Sequence, residues 1–204
     1  MNEPEPNRRD DIIDAALRVF STHGFHKATI KQIANEAGLK SPSLIYWYFK
    51  DKKEVLQAVF SRLVPLINEV GNPAAVAQII EQPPEVVLLM FAKMFLNIFK
   101  HPDAGRLFRI FISEAVRSTE FIDQVAESGP VIMLGFLTAY LQHQIELGRL
   151  RPHNPHSSVR SFMGMLIVYI FGRELVPPLG AGLPAPEQYA PEVVAIFLDG
   201  LRAT

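Results

Sequence analysis

Residues 29–54 read TIKQIANEAGLKSPSLIYWYFKDKKE, and this stretch decides the architecture. Thr29 is an N-cap residue, and Gln32, three positions on, can reach back to its backbone N–H, the reciprocal arrangement that satisfies two orphan donors at a helix start. Ile30, Ile33, Ala34 and Ala37 then recur at helical spacing with Lys31, Gln32, Asn35 and Glu36 opposite, so one face is made for burial. Gly38 can take the left-handed conformation that ends a helix, and Leu39 can fold back onto the buried face. The chain turns within about four residues. Ser41 and Pro42 supply an N-cap and a first helical position, which predicts a second helix from Pro42 toward Tyr48 with Leu44, Ile45 and Tyr48 available to pack. Asp51 with Glu54 is a further capping signal, opening a long helix buried along Val55, Leu56, Val59, Phe60 and Leu63.

Helix, tight turn, helix is the arrangement that lays its second helix in the DNA major groove with N-terminal residues at the base edges. The series Thr29-Ile30, Ile33-Ala34, Ala37-Gly38-Leu39, Ser41, Leu44, Tyr46-Trp47-Tyr48-Phe49 and Lys50-Asp51-Lys52-Lys53-Glu54 resembles the DNA-binding domain of TetR/AcrR-type transcriptional regulators. One departure stands out: that family usually has its serine two residues after the turn glycine, whereas Ser41 comes three after Gly38, with one residue more before Tyr46. The resemblance implies an all-α protein with a helix-turn-helix DNA-binding domain over residues 8–54 and a helical ligand-binding and dimerisation domain over 55–204.

Candidate DNA contacts follow. Ser41, Pro42 and Ser43 occupy the exposed start of the second helix, where base reading is expected. Lys31 lies on the polar side of the helix before it. Tyr46 and Trp47 are placed to be exposed, a phenol or indole N–H bonding phosphate while the ring rests on sugar; Phe49 is expected in the core. Lys52 falls in the first turn of the next helix, against the dipole, a position made favourable by an anion there. It is read as a phosphate contact, as the resemblance implies, and Thr29 likewise.

The chain of 204 residues is 49% hydrophobic, enough for one or two domains with a substantial core. Cysteine is absent, which excludes disulfides, thiolate metal sites and a cysteine nucleophile and suits a reducing cytoplasm. The start, MNEPEPNRRDD, lacks the basic and apolar regions of a signal peptide. Apolar runs such as Val131–Leu141 and Met163–Phe171 fall short of the roughly 20 residues of a membrane span. The cytoplasm is therefore the expected location. A formal net charge of −1 does not advertise a nucleic-acid binder, so distribution matters more. Between Arg18 and Lys53 seven basic residues face two acidic ones, Glu36 and Asp51, a local excess of five positive charges on the motif itself.

Outside the motif, Arg8–Thr22 is an amphipathic helix burying Ile12, Ile13, Ala16, Leu17 and Phe20 and stopped by Gly24. Residues 1–7 read as a disordered lead. Pro65 is expected to bend the long helix and Gly71-Asn72-Pro73 to break it. Further helices are expected over Ala74–Glu81, Pro84–Phe99, Asp103–Val116, Val131–Leu147, Ser157–Leu175 and Pro191–Leu201. A short segment near Glu120–Glu127 and a break at Ser128-Gly129-Pro130 lie between them. His101-Pro102-Asp103 is a loop and a cap. The pairs His23/His26 and His153/His156 read as a helix-end and a solvated loop rather than metal ligands, and no cofactor is implied.

Ser157–Leu175 is apolar around its whole cylinder, so it must be covered on two sides. A second copy of the chain, meeting it in a four-helix interface with the last helix, is the covering the resemblance implies. Phe162, Leu166, Ile170, Val194, Phe197 and Leu201 are the expected dimer residues. The alternative is a helix central to a monomeric bundle. Phe91, Met94, Phe95, Phe108, Phe111, Met133, Phe136, Tyr140 and Met163 are the expected lining of a pocket for a small, largely apolar effector, as the resemblance implies. Arg109, Glu114, Arg117, Tyr140, His143 and Arg173 are the polar groups that could orient it. The expected partners are thus a palindromic double-stranded operator, an effector and a second copy, the effector releasing DNA. An all-helical enzyme or a protein-binding module on the same scaffold are the competing classes. No ordered acid/base pair, nucleophile motif or phosphate loop supports the enzyme.

Overall fold

The computed structural model describes residues 8–63, 72–117 and 130–202. The expectations for the lead at 1–7, Pro65, Gly71 and the stretch 118–129 lie outside the described residues. Described helices are α1 (Arg8–His23), α2 (Ile30–Glu36), a 3₁₀ helix (Pro42–Trp47), α3 (Lys52–Leu63), α4 (Pro73–Ile80), α5 (Pro84–Ile98), α6 (Ala104–Arg117), α7 (Pro130–Glu146), α8 (Pro155–Glu174), a 3₁₀ turn (Pro177–Gly180) and α9 (Pro186–Asp199). The fold is all-α, and none of the described helices is long and apolar enough to cross a membrane.

The chain forms two compact units: one from the described parts of Met1–Leu63 and Pro102–Gly129, the other from those of Val64–His101 and Pro130–Thr204. This division differs from 8–54 and 55–204 in two respects. Residue 54 lies inside α3, which remains whole, and α6 falls in the first unit, where it packs with α1.

In the first unit, α1 buries Ile12, Ile13, Ala16, Leu17 and Phe20 against Ile33 and Ala34 of α2, Ile45, Phe49, and Val55, Leu56 and Val59 of α3. Each such side chain contributes about 1.5–3 kcal/mol when fully removed from water. That burial stabilises a seven-residue helix too short to persist alone. The stop at Gly38 has the expected form: φ is +67°, Leu39 N–H donates to Ala34 O at 2.8 Å and Gly38 N–H to Asn35 O at 3.1 Å.

The second unit is built on α5, α8 and α9 with α7 beside them. Phe162 stands between Phe91 (ring centres 6.1 Å apart) and Phe197 (5.1 Å). Gln144, fully buried on α7, is satisfied by donating to Ile80 O and accepting from Arg149. Helix α9 starts at Pro186, earlier than the expected Pro191, which sits inside it. The added turn is held from outside: Tyr189 lies 4.2 Å from Tyr169 ring to ring and donates to Met165 O, and Glu187 pairs with Lys100 at 2.7 Å. Tertiary contact here outweighs the local reading of proline as a boundary. Near the end of α8, Gly172 lies against Gly180, where a Cβ would come within 2.7 Å of the Gly180 nitrogen.

Candidate nucleic-acid interface

The reading unit is assembled by caps. Thr29 Oγ1 accepts from Gln32 N–H at 3.2 Å while Gln32 Oε1 accepts from Thr29 N–H at 2.8 Å, the expected capping box. The Thr29 hydroxyl also donates to Gln32 Oε1 at 2.9 Å. Its single proton is therefore spent inside the cap, and a phosphate oxygen, itself an acceptor, finds no donor there until Gln32 lets go. Asp51 Oδ1 accepts from Glu54 N–H at 2.8 Å, and Glu54 reaches back to Lys50 N–H.

Between these two caps the segment expected as an α-helix is a 3₁₀ helix, Pro42–Trp47, with bonds such as Leu44 N–H to Ser41 O (3.2 Å) and Tyr48 N–H to Ile45 O (3.0 Å). Six residues ended by a cap on each side leave room for i→i+3 bonds and little more. Ser41 caps it, accepting from Ser43 N–H at 3.3 Å, and the two serine hydroxyls share a hydrogen at 2.7 Å. Pro42 takes the first position, where its missing N–H costs nothing.

Three of the four successive aromatics fall as expected, while Tyr48, expected to pack, is 39% exposed. Phe49 is 1% exposed and Ile45 fully buried, whereas Tyr46 is 56% and Trp47 80% exposed. Lys27, Lys31, Lys40, Lys50 and Thr29 are exposed around them. At the start of α1, Arg9 places its guanidinium 5.1 Å from the Phe49 ring centre, a second basic group beside the motif. The Arg8-Arg9 doublet in the sequence was the available signal.

Lys52, expected as a phosphate contact, has internal partners. Its ammonium points into its own unit, donating to Phe25 O (2.7 Å), Ala28 O (2.9 Å) and His26 O (3.3 Å) and lying 4.4 Å over the Phe25 ring. Three N–H donors meet three carbonyl acceptors. These carbonyl oxygens of the α1–α2 turn offset the unfavourable position of a cation in the first turn of α3. Burial lowers the pKa of this lysine from 10.5, and the nearby Glu114 carboxylate opposes that shift.

The effector and dimer expectations are redistributed. Phe111 joins the core of the first unit, edge-on to Phe60 with ring centres 6.4 Å apart, and α6 carries half-buried Phe108 in that unit too. The remaining seven lie in the second unit. Phe91, Met133, Phe136 and Tyr140 are buried there, while Met94, Phe95 and Met163 are half-buried. Several polar groups expected to orient a ligand are held internally: Tyr140 donates to Gln82 O at 2.8 Å, His143 contacts Glu81 at 2.9 Å, and Arg173 binds Tyr169 Oη and Pro184 O. The Arg117 side chain lies outside the described residues. All six expected dimer residues, Phe162, Leu166, Ile170, Val194, Phe197 and Leu201, are at most 8% exposed within the subunit. They form its own core because their stripes face α5 and each other. The outward apolar residues of α8 and α9 are Val168 (58%) and Ile196 (66%).

Residues 12–59 match the family described as bacterial regulatory proteins, tetR family, and residues 86–200 match the AefR-like transcriptional repressor, C-terminal domain. The HTH-type transcriptional regulator SrpR of Pseudomonas putida is 31% identical over 161 residues, 78% of this chain and 71% of that protein. Among solved structures, the fatty acid degradation regulator FadR of Bacillus halodurans superposes with a TM-score of 0.71 at 22% identity over 95% of this chain and 99% of its own. SmeT, the repressor of the Stenotrophomonas maltophilia multidrug efflux pump SmeDEF, gives 0.62 at 22% identity over 96% and 90%. A capped helix, a glycine stop and a short reading element, together with a C-terminal match over more than half its length, make this chain a DNA-binding transcriptional regulator, not an enzyme, and a member of the TetR family.

Proposed function

We propose that the protein is a ligand-responsive repressor that binds a two-fold symmetric operator as a homodimer and is released by a small, largely apolar effector held in its second unit. The observation that carries the DNA half is the exposure of Tyr46 and Trp47 on a short element with lysines around it. Exposed aromatic surface adds nothing to the stability of the unit, whereas stacking on sugar and hydrogen bonding to phosphate give it a use. In this reading Ser43, with Ser41 and Pro42 behind it, meets base edges, and Lys31, Tyr46, Trp47 and Arg9 meet the backbone. Repression is supported by the description of the C-terminal match. An apolar effector is supported by half-buried Met94, Phe95 and Met163 beside the Phe91–Phe162 stack, and by the fatty-acid and multidrug settings of FadR and SmeT. Dimerisation through α8 and α9 is supported by exposed Val168 and Ile196.

The test is selection of duplex from a random pool by purified protein, followed by sedimentation. Two inverted half-sites with centres about one helical turn, 10–10.5 base pairs, or a multiple apart are expected. Affinity should fall steeply with salt. A protein that stays monomeric at micromolar concentration and selects no duplex would overturn the proposal.

A further inference from the structure

Helix α6 has a double membership. It falls within residues 86–200, the C-terminal repressor match, yet it packs in the DNA-reading unit. One side chain makes that packing specific. Glu114 Oε1 occupies the space beside Gly24, 2.7 Å from where a Cβ would stand, and its other oxygen lies 3.7 Å from His26 Nε2. Gly24 has φ +78°, a backbone that favours glycine, and the carboxylate is seated against it. The Glu114 side chain is 18% exposed, and its charge acts on the Lys52 ammonium, which in turn ties down Phe25 O, His26 O and Ala28 O. Ala28 precedes Thr29, the cap from which α2 starts.

We propose that Glu114 is a positioning residue for DNA reading: carried on α6, its carboxylate fixes the Gly24–Ala28 turn and the Lys52 ammonium, and through them the start of α2 and the 3₁₀ helix. This role rests on the regulator reading above and adds to it the route by which the C-terminal part of the sequence acts on the reading element. A shift of α6 withdraws the carboxylate from its seat, and the turn loses the group that holds it. Glu114 touches no DNA in this scheme. A carboxylate near a DNA-binding face repels phosphate, so removing it should raise general DNA affinity while degrading discrimination.

The experiment uses the full chain and the duplex selected by the native protein, with a scrambled duplex of equal length as reference. Affinities for both are measured for the native protein, Glu114→Gln, Lys52→Met and the double variant, and circular dichroism confirms that each is folded at the assay temperature. Glu114→Gln is expected to lower the ratio of selected to scrambled affinity about five- to tenfold. The double variant is expected to lose no more than Lys52→Met alone, because both residues act through one turn. Trp47, the sole tryptophan and part of the reading element, should change its fluorescence in Glu114→Gln, which a uniform loss of stability would not produce in folded protein. Glu114→Asp, keeping the charge one methylene short, should fall between native and Gln and replaces Gln if that variant melts. An unchanged ratio in Glu114→Gln or Glu114→Asp, or additive losses in the double variant, would overturn the role. Failure of the native protein to select any duplex would overturn the regulator reading together with it; a selected duplex whose preference survives the substitutions would overturn the role alone.

Discussion

Replacing Lys52 by methionine separates two accounts of this residue by experiment. Methionine keeps most of the apolar stem, so the loss is confined to the ammonium, its three hydrogen bonds to the Phe25–Ala28 turn and its contact with the Phe25 ring. A hydrogen bond to a charged group contributes about 1.5–3 kcal/mol. The half-buried site lets water take over some carbonyls, so the lower end applies to the set rather than to each bond. The ring contact adds about 0.5–1 kcal/mol, and relief from the helix dipole returns about 0.3–1 kcal/mol. The expected net loss is about 2 kcal/mol, or roughly 4–8 °C in melting temperature for a chain of this size. The decisive assay is the salt dependence of DNA affinity. A lysine neutralising one phosphate contributes about 0.9 to the slope of log K against log salt. Lys52→Met should leave that slope unchanged while lowering stability, and Lys31→Ala should flatten it by about 0.9 with stability intact. A flattened slope and an unchanged melting temperature for Lys52→Met would refute the internal clamp.

Two glycines on neighbouring helices should respond oppositely to alanine. Gly172→Ala drives a Cβ into the backbone of Leu179 and Gly180 and should cost about 1–3 kcal/mol, whereas Gly135→Ala, in open space on α7, should stabilise by about 0.5–1 kcal/mol; denaturant midpoints decide. If the proposed dimer forms through α8 and α9, Ile196→Glu should dissociate it in sedimentation without loss of helix, while Phe162→Ala should destabilise the fold itself by about 3–5 kcal/mol. Tyr140 is a pH probe. Burial raises its phenol pKa above the ordinary 10.0, so the protonated folded form is favoured, its contribution is intact below pH 10 and it is lost as pH rises beyond the unfolded value. Tyr140→Phe should lose about 1 kcal/mol at neutral pH and show a shallower decline above pH 10 in denaturant titrations.

What was legible in the sequence is what depends on neighbours a few residues away. Thr29 with Gln32, Asp51 with Glu54 and Gly38 with Leu39 each close a bond within the same turn, and all three appear in the structure as read. The partners of Lys52 lie 24 to 27 residues away, so the same side chain read as free in the sequence and was satisfied in the fold. Helix α8 is harder to read for another reason. Apolar around its circumference, it carries no phase, and Phe162, Leu166 and Ile170 are a genuine stripe that happens to face inward. The early start of α9 was hidden because Pro191 is a strong local signal, and only Tyr169 and Lys100 reveal why it is overridden.

The 3₁₀ winding of Pro42–Trp47 has a bearing on how much text each half of an operator can hold. Six residues rising about 2.0 Å apiece make a stub of about 12 Å, the length of three to four stacked base steps at about 3.4 Å. With three residues per turn, Ser43 and Tyr46 eclipse one another along one edge and Leu44 and Trp47 along the next. In the proposed dimer each side of the dyad then holds a small vocabulary, and discrimination among genomic sites would lean on the spacing of the two words more than on their spelling.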